Sequence, residues 1–224
     1  MAMAVSEDVR IDKAGSPLPE VFADWFARRG WRPHAHQLAL LEKVGAGEPA
    51  LLIAPTGGGK TLAGFLPSLV DLTQAPGRRT SQIHTLYVSP LKALAVDVAR
   101  NLGQPVEEMG LDIRLETRTG DTPASRRQRQ RIAPPDILMT TPEQVALLLS
   151  HKDAARHFAG LRYVILDELH ALVTSKRGDL LALALARLRS IAPELLAIGL
   201  SATVARPSEL RAFLAPQEAD SGVT

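Results

Sequence analysis

A short glycine-rich stretch, residues 54–61, restricts the possible folds of this chain more than any other feature. Its sequence is Ala-Pro-Thr-Gly-Gly-Gly-Lys-Thr, between the apolar run 50–53 and a segment of helical apolar periodicity over 62–72. Successive glycines let backbone N–H groups turn towards one anion, and the following helix adds the positive end of its dipole. The stretch predicts a strand, a phosphate-binding loop and a helix, with Lys60 on phosphates and Thr61 on Mg²⁺.

One position departs from the general form of such a loop, because Ala54 stands where that form begins with glycine. The alternative interpretation is a plain glycine-rich turn with an exposed lysine. A strand before the stretch and a helix after it favour the phosphate loop. The predicted nucleotide-binding residues of the loop are Pro55, Thr56, Gly57, Gly58, Gly59, Lys60 and Thr61.

The length and composition of the chain are sufficient for one α/β domain. The chain has 224 residues, 46% hydrophobic and 22% charged, which is enough for a sizeable core. A net charge of +2 does not by itself indicate a polyanionic partner. The absence of cysteine excludes disulfides and thiolate zinc sites, and the six histidines show no metal-ligand spacing. We expect a cytoplasmic protein.

No stretch of the sequence is suited to a bilayer. The longest apolar region, residues 180–200, contains Arg187, Arg189, Pro193 and Glu194, which would be costly in a membrane. Residues 1–17 carry several charges and no apolar core, so we expect a disordered lead-in and not a targeting signal.

Two helices are predicted ahead of the loop, over residues 19–29 and 34–44. The first carries Trp25 and Phe26 at helical spacing, and Trp31 follows it. One interpretation of these aromatic side chains is stacking on nucleic-acid bases. Their spacing favours a place in the core for all three.

Beyond the loop, apolar strand-like runs alternate with helical segments. This rhythm predicts an α/β fold with a mostly parallel β-sheet and helices on both faces. Ligands collect at the carboxyl ends of the strands in such folds, and each predicted strand is followed here by polar or small residues. The predicted strands after the loop are residues 85–89, 113–116, 137–140, 163–167 and 197–201.

Two carboxylates, Asp167 and Glu168, directly follow a continuously apolar strand. In phosphoryl transfer the first is expected to hold Mg²⁺ and the second to orient and deprotonate the attacking water. The alternative is that Asp167 caps the next turn, and the upstream phosphate loop favours the catalytic interpretation. His170 lies close behind, and Ser201 with Thr203 ends another strand, where helix capping and a role beside His170 both stay open.

Three of these motifs, Ala-Pro-Thr-Gly-Gly-Gly-Lys-Thr, Asp-Glu-Leu-His and Ser-Ala-Thr, resemble motifs I, II and III of superfamily 2 helicases in order and separation. Ala54 fits the helicase form of the first. Ser-Pro-Leu-Lys-Ala-Leu-Ala, Arg-Thr-Gly-Asp-Thr and Ser-Lys-Arg-Gly-Asp-Leu-Leu are similar to the large helicase-related type, particularly ligase-associated DEXH-box helicases. The resemblance implies a RecA-like P-loop NTPase domain over residues 18–215, with 216–224 starting a linker to a second lobe that is absent from this chain.

The resemblance also assigns roles to single residues. Gln37 would contact adenine. Lys60 would contact the phosphates, and Thr61 would bind Mg²⁺. Asp167 would also bind Mg²⁺, and Glu168 would activate the attacking water. The residues that would couple nucleotide state to strand movement are His170, Ser201 and Thr203. Those that would grip the nucleic-acid backbone are Ser89, Pro90, Lys92, Thr119, Gly120, Asp121, Thr141, Pro142 and Glu143.

Arginines at 126, 127, 129 and 131 could extend this track, but a charge run on a helix is usually a solvated face, and they are left out of the predicted site.

The implied activity is ATP-driven 3′-to-5′ translocation on single-stranded DNA, with duplex unwinding in DNA repair. ATP and Mg²⁺ would be the cofactors. Arginines of the second lobe complete the ATP site in this family, so one lobe alone should turn over poorly. Two alternatives stay open, a module that binds ATP or nucleic acid without turnover and an RNA helicase lobe.

Overall fold

A computed structural model describes residues 18–55, 57–74, 82–202 and 206–215 of the chain. Its centre is a six-stranded sheet in the order β1-β6-β5-β2-β4-β3, in which every pairing is parallel. The predicted α/β fold is confirmed. The strands are β1 Ala50–Ile53, β2 Thr85–Val88, β3 Leu115–Arg118, β4 Ile137–Thr140, β5 Tyr163–Leu166 and β6 Leu196–Ser201.

Helices cover both faces of the sheet, as the βα rhythm predicts. The central strands are buried on both sides and point alternate side chains into two separate cores. In β5, Tyr163 and Ile165 join the core beneath α1 to α4, while Val164 and Leu166 join the core beneath α6 to α10. The helices are α1 Glu20–Arg28, α2 Ala35–Gly45, α3 Lys60–Gln74, α4 Lys92–Glu108, α5 Ala124–Ile132, α6 Pro142–Ser150, α7 Ala154–Phe158, α8 Leu169–Val173, α9 Lys176–Ile191 and α10 Pro207–Leu214.

The edge strand β3 begins two residues later than the apolar pattern predicts. The N–H of Ile113 donates to the carbonyl of Leu111, and the N–H of Arg114 donates to the Asp136 carboxylate at 2.7 Å. Both donors are thus satisfied outside the ladder, and parallel pairing with β4 starts at Leu115. The strand ends at Arg118, which pairs in register with Thr140 of β4.

The three aromatic residues near α1 divide between core and surface. Trp25 and Phe26 are buried, as their helical spacing predicts. Trp31 is 52% exposed and packs edge-on against Trp25 with the ring centroids 5.7 Å apart. Its predicted place in the core is wrong, because Gly30 adopts φ +65 after α1 and turns the chain before Trp31 is reached.

Several predictions fall on residues outside the described ranges. They concern the lead-in 1–17, the linker 216–224, Thr56 in the phosphate loop and Thr203 after β6. Among the helices of the described ranges, none has both the length and the apolar character that crossing a membrane requires.

Candidate nucleotide-binding site and strand-end rim

The predicted phosphate loop joins the end of β1 to the start of α3. Gly57 and Gly59 adopt φ +85 and φ +71, a region that side chains with a Cβ rarely occupy. The loop is tied to the neighbouring strand β6, because the N–H of Ala54 donates to the carbonyl of Ser201 at 3.2 Å. These glycines therefore give the loop the turn that a phosphate cradle needs.

Gln37 is buried against this loop and supports it from the side of α2. Its Oε1 accepts from the N–H of His34 at 2.9 Å, and its Nε2 donates to the carbonyl of Gly59 at 3.4 Å. A Cβ built on Gly59 would lie 3.0 Å from the same Nε2. Gln37 is thus in place to hold the loop, and its contact with adenine remains a prediction.

Lys60, at the start of α3, carries a buried ammonium group without a partner. The residue is 8% exposed, and its Nζ has no hydrogen-bond partner in the described part of the chain. Burying an unpaired charge is costly unless a ligand compensates it. An anion seated in the phosphate loop supplies that compensation, so the residues present fit a bound phosphate.

The two predicted carboxylates lie at the end of β5, and β6 alone separates β5 from the loop strand β1. Asp167 is 8% exposed, and its Oδ1 accepts from the N–H of Glu168 at 2.9 Å. Glu168 adopts φ 47 and ψ 44, the left-handed conformation, without being glycine. Strain of this kind persists where the surrounding structure fixes a side chain for function.

Tyr87 is a site residue that sequence reasoning missed. It is fully buried in β2 and donates its hydroxyl to Oδ2 of Asp167, while its ring stacks on Phe65 with centroids 5.3 Å apart. Burial, with the charge of Asp167, raises the pKa of Tyr87, so the hydroxyl stays a donor. Its position inside an apolar strand could have indicated this role, because a buried phenol hydroxyl usually has a hydrogen-bond partner.

His170 connects the carboxylates to the end of β6. Its Nδ1 lies 2.9 Å from Oγ of Ser201, and its Nε2 lies 3.5 Å from Oε2 of Glu168. Ser201 is fully buried at the end of its strand. The structure thus brings together the predicted coupling residues His170 and Ser201, next to the carboxylate predicted to activate water.

The residues predicted to hold Mg²⁺ are few. Within the described residues no group of three or more histidine, aspartate or glutamate side chains could hold a metal. Mg²⁺ is commonly bound through one or two protein oxygens together with substrate phosphates and water. Thr61 and Asp167 fit that mode, in which the nucleotide completes the coordination.

A cavity of about 260 Å³ opens beside the phosphate loop. Gly59 and Thr61 form one wall, and the exposed Trp31 with Trp25 and Arg29 forms another. The Arg29 guanidinium lies 5.1 Å from the Trp31 ring centroid. Glu108 accepts hydrogen bonds from Arg29 and Trp25, and the bond from Arg29 contributes most to lowering the pKa of its carboxyl to about 2.

The residues predicted to grip nucleic acid lie at the carboxyl ends of β2, β3 and β4, a region termed the strand-end rim. It comprises residues 89–92, 118–122 and 140–143. Lys92 Nζ lies 3.0 Å from Oδ2 of Asp121, and both side chains are exposed together with Gly120. Four predicted contact residues are buried and do not belong to the exposed surface of the rim: Ser89, Thr119, Thr141 and Pro142.

Glu143 of the rim is engaged by an arginine that sequence reasoning did not single out. Arg177, at the start of α9, forms an ion pair with Glu143 and donates to the carbonyl of Pro90 at 2.7 Å. The hydrogen bond from Arg177 makes the largest contribution in lowering the pKa of Glu143 to about 2. Arg177 therefore holds the loops after β2 and β4 together.

The arginines of α5 also find acceptors within the fold. They hold the helix against β3 and the start of α7, and do not form a free charged face. Arg126 and Arg129 pair with Glu116, Arg131 pairs with Asp153, and Arg127 donates to the carbonyls of Gly120 and Thr122.

Comparison with known proteins places this architecture in a family. Residues 34–210 match the model of the DEAD/DEAH box helicase family. The chain is 43% identical over 220 residues to the Lhr helicase/uracil glycosylase of Escherichia coli (strain K12), covering 89% of this chain and 14% of that protein. It is 39% identical over 209 residues to the ATP-dependent helicase Lhr-Core of Methanocaldococcus jannaschii, covering 88% of this chain and 25% of that protein.

A solved structure agrees with these relatives. The Mycobacterium smegmatis helicase Lhr bound to ssDNA and AMP-PNP matches with a TM-score of 0.79 and 41% identity, over 89% of this chain and 26% of that chain. This chain thus spans about a quarter or less of these three relatives. The predicted resemblance to superfamily 2 helicases of the large helicase-related type is confirmed. The chain belongs to the DEAD/DEAH box helicase family.

Proposed function

We propose that this chain is the ATP-binding lobe of an ATP-dependent helicase that moves along single-stranded DNA. The observation that carries the proposal is the buried, unpartnered ammonium of Lys60 behind a loop of left-handed glycines. A buried cation at a helix start is costly for folding alone and is suited to a triphosphate. Asp167 and Glu168 lie two strands away at the same edge of the sheet, where phosphoryl transfer needs them.

Each residue then has a defined task. Lys60 and the loop N–H groups stabilise the charge that develops on the transferred phosphoryl oxygens. Thr61 and Asp167 would hold Mg²⁺, which would neutralise charge on the phosphates. Glu168 orients the attacking water and accepts its proton. His170 contacts both this carboxylate and Ser201, so a movement of Glu168 during hydrolysis also moves the end of β6.

The cavity beside the loop is the proposed seat of the adenine base. It adjoins Gly59 and Thr61, and it offers the exposed face of Trp31 with the Arg29 guanidinium above that ring. Aromatic rings and guanidinium groups both stack on purine bases. Gln37 lies behind Gly59, within the same part of the site.

DNA is the proposed polymer because a matched relative is an Lhr helicase bound to ssDNA. The strand-end rim supplies backbone groups and the Lys92 side chain for phosphate contacts that do not depend on base sequence. The 3′-to-5′ direction, a role in DNA repair and the need for a second lobe remain predictions from the resemblance, and a cytoplasmic location remains a prediction from the composition.

Nucleotide binding by the 224-residue chain tests the proposal directly. A fluorescent ATP analogue should bind in a Mg²⁺-dependent manner. Glu168→Gln should leave binding nearly intact and abolish the residual hydrolysis, because it removes only the proton acceptor. A chain that binds no nucleotide, or hydrolysis that survives in Glu168→Gln, would contradict the proposed chemistry.

The choice of DNA has its own test. Residual ATP hydrolysis should rise with added single-stranded DNA more than with RNA of equal length and sequence. Stimulation by RNA alone would reject DNA as the polymer. We expect no strand displacement by this chain, because one lobe lacks the arginines that the second lobe supplies in this family; robust unwinding by residues 1–224 would reject that expectation.

A further inference from the structure

Glu108, the last residue of α4, binds both side chains that support the ring of Trp31. Its Oε2 accepts from Nε1 of Trp25 at 2.8 Å and from Nε of Arg29 at 3.0 Å. Its Oε1 accepts from Nη2 of the same guanidinium, and from Nε2 of Gln104 at 2.9 Å. One carboxylate thus joins the end of α1 to α4 at the cavity beside the phosphate loop.

The orientation of the Trp31 ring depends on those two side chains. The ring meets Trp25 edge-on, with centroids 5.7 Å apart and an interplanar angle of 88°. The Arg29 guanidinium lies 5.1 Å from the Trp31 centroid. The backbone of Trp31 is held separately, because its N–H donates to the carbonyl of Phe26 at 2.9 Å. Since the residue is 52% exposed, whatever fixes Trp25 and Arg29 also fixes the free face of this ring.

The contact between Arg29 and Glu108 holds the guanidinium in one plane. Nε and Nη2 of Arg29 both donate to the carboxylate, one to each oxygen. A two-point contact of this kind fixes the orientation of a guanidinium as well as its position. The hydrogen bond from Arg29 contributes most to lowering the pKa of Glu108 to about 2, so the carboxylate stays charged at neutral pH.

Glu108 connects two walls of the cavity and is not one of its lining residues. One wall consists of Trp25, Arg29 and Trp31, which lie in or just after α1. Another belongs to α4 and consists of Asn101, Leu102, Gln104 and Pro105. The carboxylate therefore fixes the walls relative to each other without contacting what binds between them.

We propose that Glu108 is a positioning residue for the nucleotide base, which acts through Arg29 and Trp25 to hold the Trp31 ring in place for stacking. The inference rests on the proposed function, which seats adenine in this cavity. A platform that is ordered before binding loses less freedom when the base arrives. The phosphates are bound at the loop by other residues, so the effect of Glu108 should be confined to the base.

The test compares ATP with inorganic tripolyphosphate, which carries a triphosphate chain without the base and sugar. Calorimetric titration of the full chain with Mg²⁺ present gives both dissociation constants. Glu108→Gln should weaken ATP binding about three- to tenfold, the value of one hydrogen bond, because it removes the charge that holds the fork. Its affinity for tripolyphosphate should equal that of wild type.

Glu107→Gln is the matched control. Glu107 precedes Glu108 in the last turn of α4 and is exposed, so the variant loses the same charge at the same helix end. It should bind both ligands as wild type does. Equal ATP affinity in the two variants would overturn the inference and leave the proposed function standing. A wild-type chain that binds no ATP would reject the proposed function and this inference with it.

Intrinsic fluorescence reports on the cavity itself, because Trp25 and Trp31 are the two tryptophans of the chain. ATP should change the emission of wild type, and tripolyphosphate should leave it unchanged. Glu108→Gln should increase quenching by acrylamide before any ligand is added, since the rings are held less firmly. A carboxylate that only ties two helices together would instead lower the melting temperature and the affinity for both ligands alike, and that result would reject the positioning role.

A double-mutant cycle tests whether Glu108 acts through Arg29. In the Arg29→Gln background the fork is already lost, so Glu108→Gln should weaken ATP binding little further. Fully additive losses would overturn the inference. Should Glu108→Gln fail to fold, Arg29→Lys makes the same comparison, because it keeps the positive charge and removes the planar fork. An unchanged ratio of ATP to tripolyphosphate affinity in Arg29→Lys would also overturn it.

Discussion

The phosphate loop and the strand-end rim occupy the same edge of one sheet, yet they treat charge in opposite ways. At the loop Lys60 is buried without a partner, and Glu168 holds a strained backbone conformation nearby. At the rim Lys92 pairs with Asp121, and Glu143 pairs with Arg177. The loop is thus incomplete until a ligand binds, whereas most of the rim is satisfied within the protein.

The contrast fits two kinds of binding. A nucleotide that must be held in one geometry for chemistry requires groups that are fixed in advance and unsatisfied without it. A polymer that slides past requires a shaped surface whose parts keep their positions while contacts change.

The largest effect should come from Lys60→Ala. Losing a charge-assisted contact to phosphate costs about 1.5–3 kcal/mol, so nucleotide affinity should fall by roughly 10- to 100-fold in a calorimetric titration. The free energy of unfolding should stay the same or rise, because the unpartnered ammonium is removed. A variant that loses stability together with affinity would show that Lys60 supports the fold itself.

A smaller loss of affinity should follow from Gly59→Ala. The residue has φ +71, and a Cβ there would lie 3.0 Å from Nε2 of Gln37, so the loop must shift. The left-handed conformation alone costs about 1–2 kcal/mol with a Cβ. We expect a comparable loss of unfolding free energy and roughly tenfold weaker nucleotide binding.

Gly47→Ala is the control for that variant. Gly47 has φ +82 in the turn before β1, and a Cβ at this position would meet no other atom within 4 Å. The two variants should lose similar stability, and only the one at residue 59 should lose nucleotide affinity. Equal affinities in both would mean that the loop tolerates the side chain.

The parts of the fold that could be predicted from the sequence are those that depend on residues close together along the chain. Continuous apolar runs indicate buried parallel strands, and glycines followed by Lys60 indicate a phosphate loop. The parts it missed depend on neighbours distant along the chain. Tyr87 meets Asp167 from 80 residues away, and Arg177 meets Glu143 from 34 residues away, because the strand order brings them together.

Local patterns also fail where one side chain redirects the backbone. The apolar run at 113–116 predicts a strand, but the Asp136 carboxylate takes the N–H of Arg114 and moves the start of β3. Isolation of a charge is equally invisible in sequence. Lys60 is recognisable in the sequence as the lysine of a phosphate loop, and only the structure shows that its ammonium group lacks a partner within the described residues.

Tyr87→Phe tests the part of the nucleotide site that is predicted to hold Mg²⁺. The change removes only the hydroxyl that donates to Asp167, and the ring keeps its stacking on Phe65. Without that donor the carboxylate is less fixed, so the Mg²⁺ concentration for half-maximal nucleotide binding should rise about three- to tenfold, the value of one hydrogen bond. Nucleotide binding without Mg²⁺ should be unchanged, and a change there would assign the hydroxyl to the fold.

The smallest effect should come from Glu143→Gln at the rim. The Arg177 guanidinium lowers the pKa of Glu143 to about 2. The ion pair therefore stabilises the fold at pH values above the ordinary pKa of glutamate, and this stabilisation is lost as the pH falls towards 2. Both side chains are more than one third exposed, so the contribution should stay below about 1 kcal/mol. Urea unfolding should show wild type more stable than the variant at pH 7, with the difference shrinking below about pH 4.

Glu209→Gln provides the matched control for this pair. Arg206 and Glu209 form an exposed ion pair three residues apart at the start of α10, so its loss should change unfolding very little. Nucleotide affinity should be equal in both variants and wild type, because neither pair belongs to the loop. A fall in nucleotide affinity in Glu143→Gln alone would show that the rim and the loop are coupled, and that pairing at the rim also holds the nucleotide site in shape.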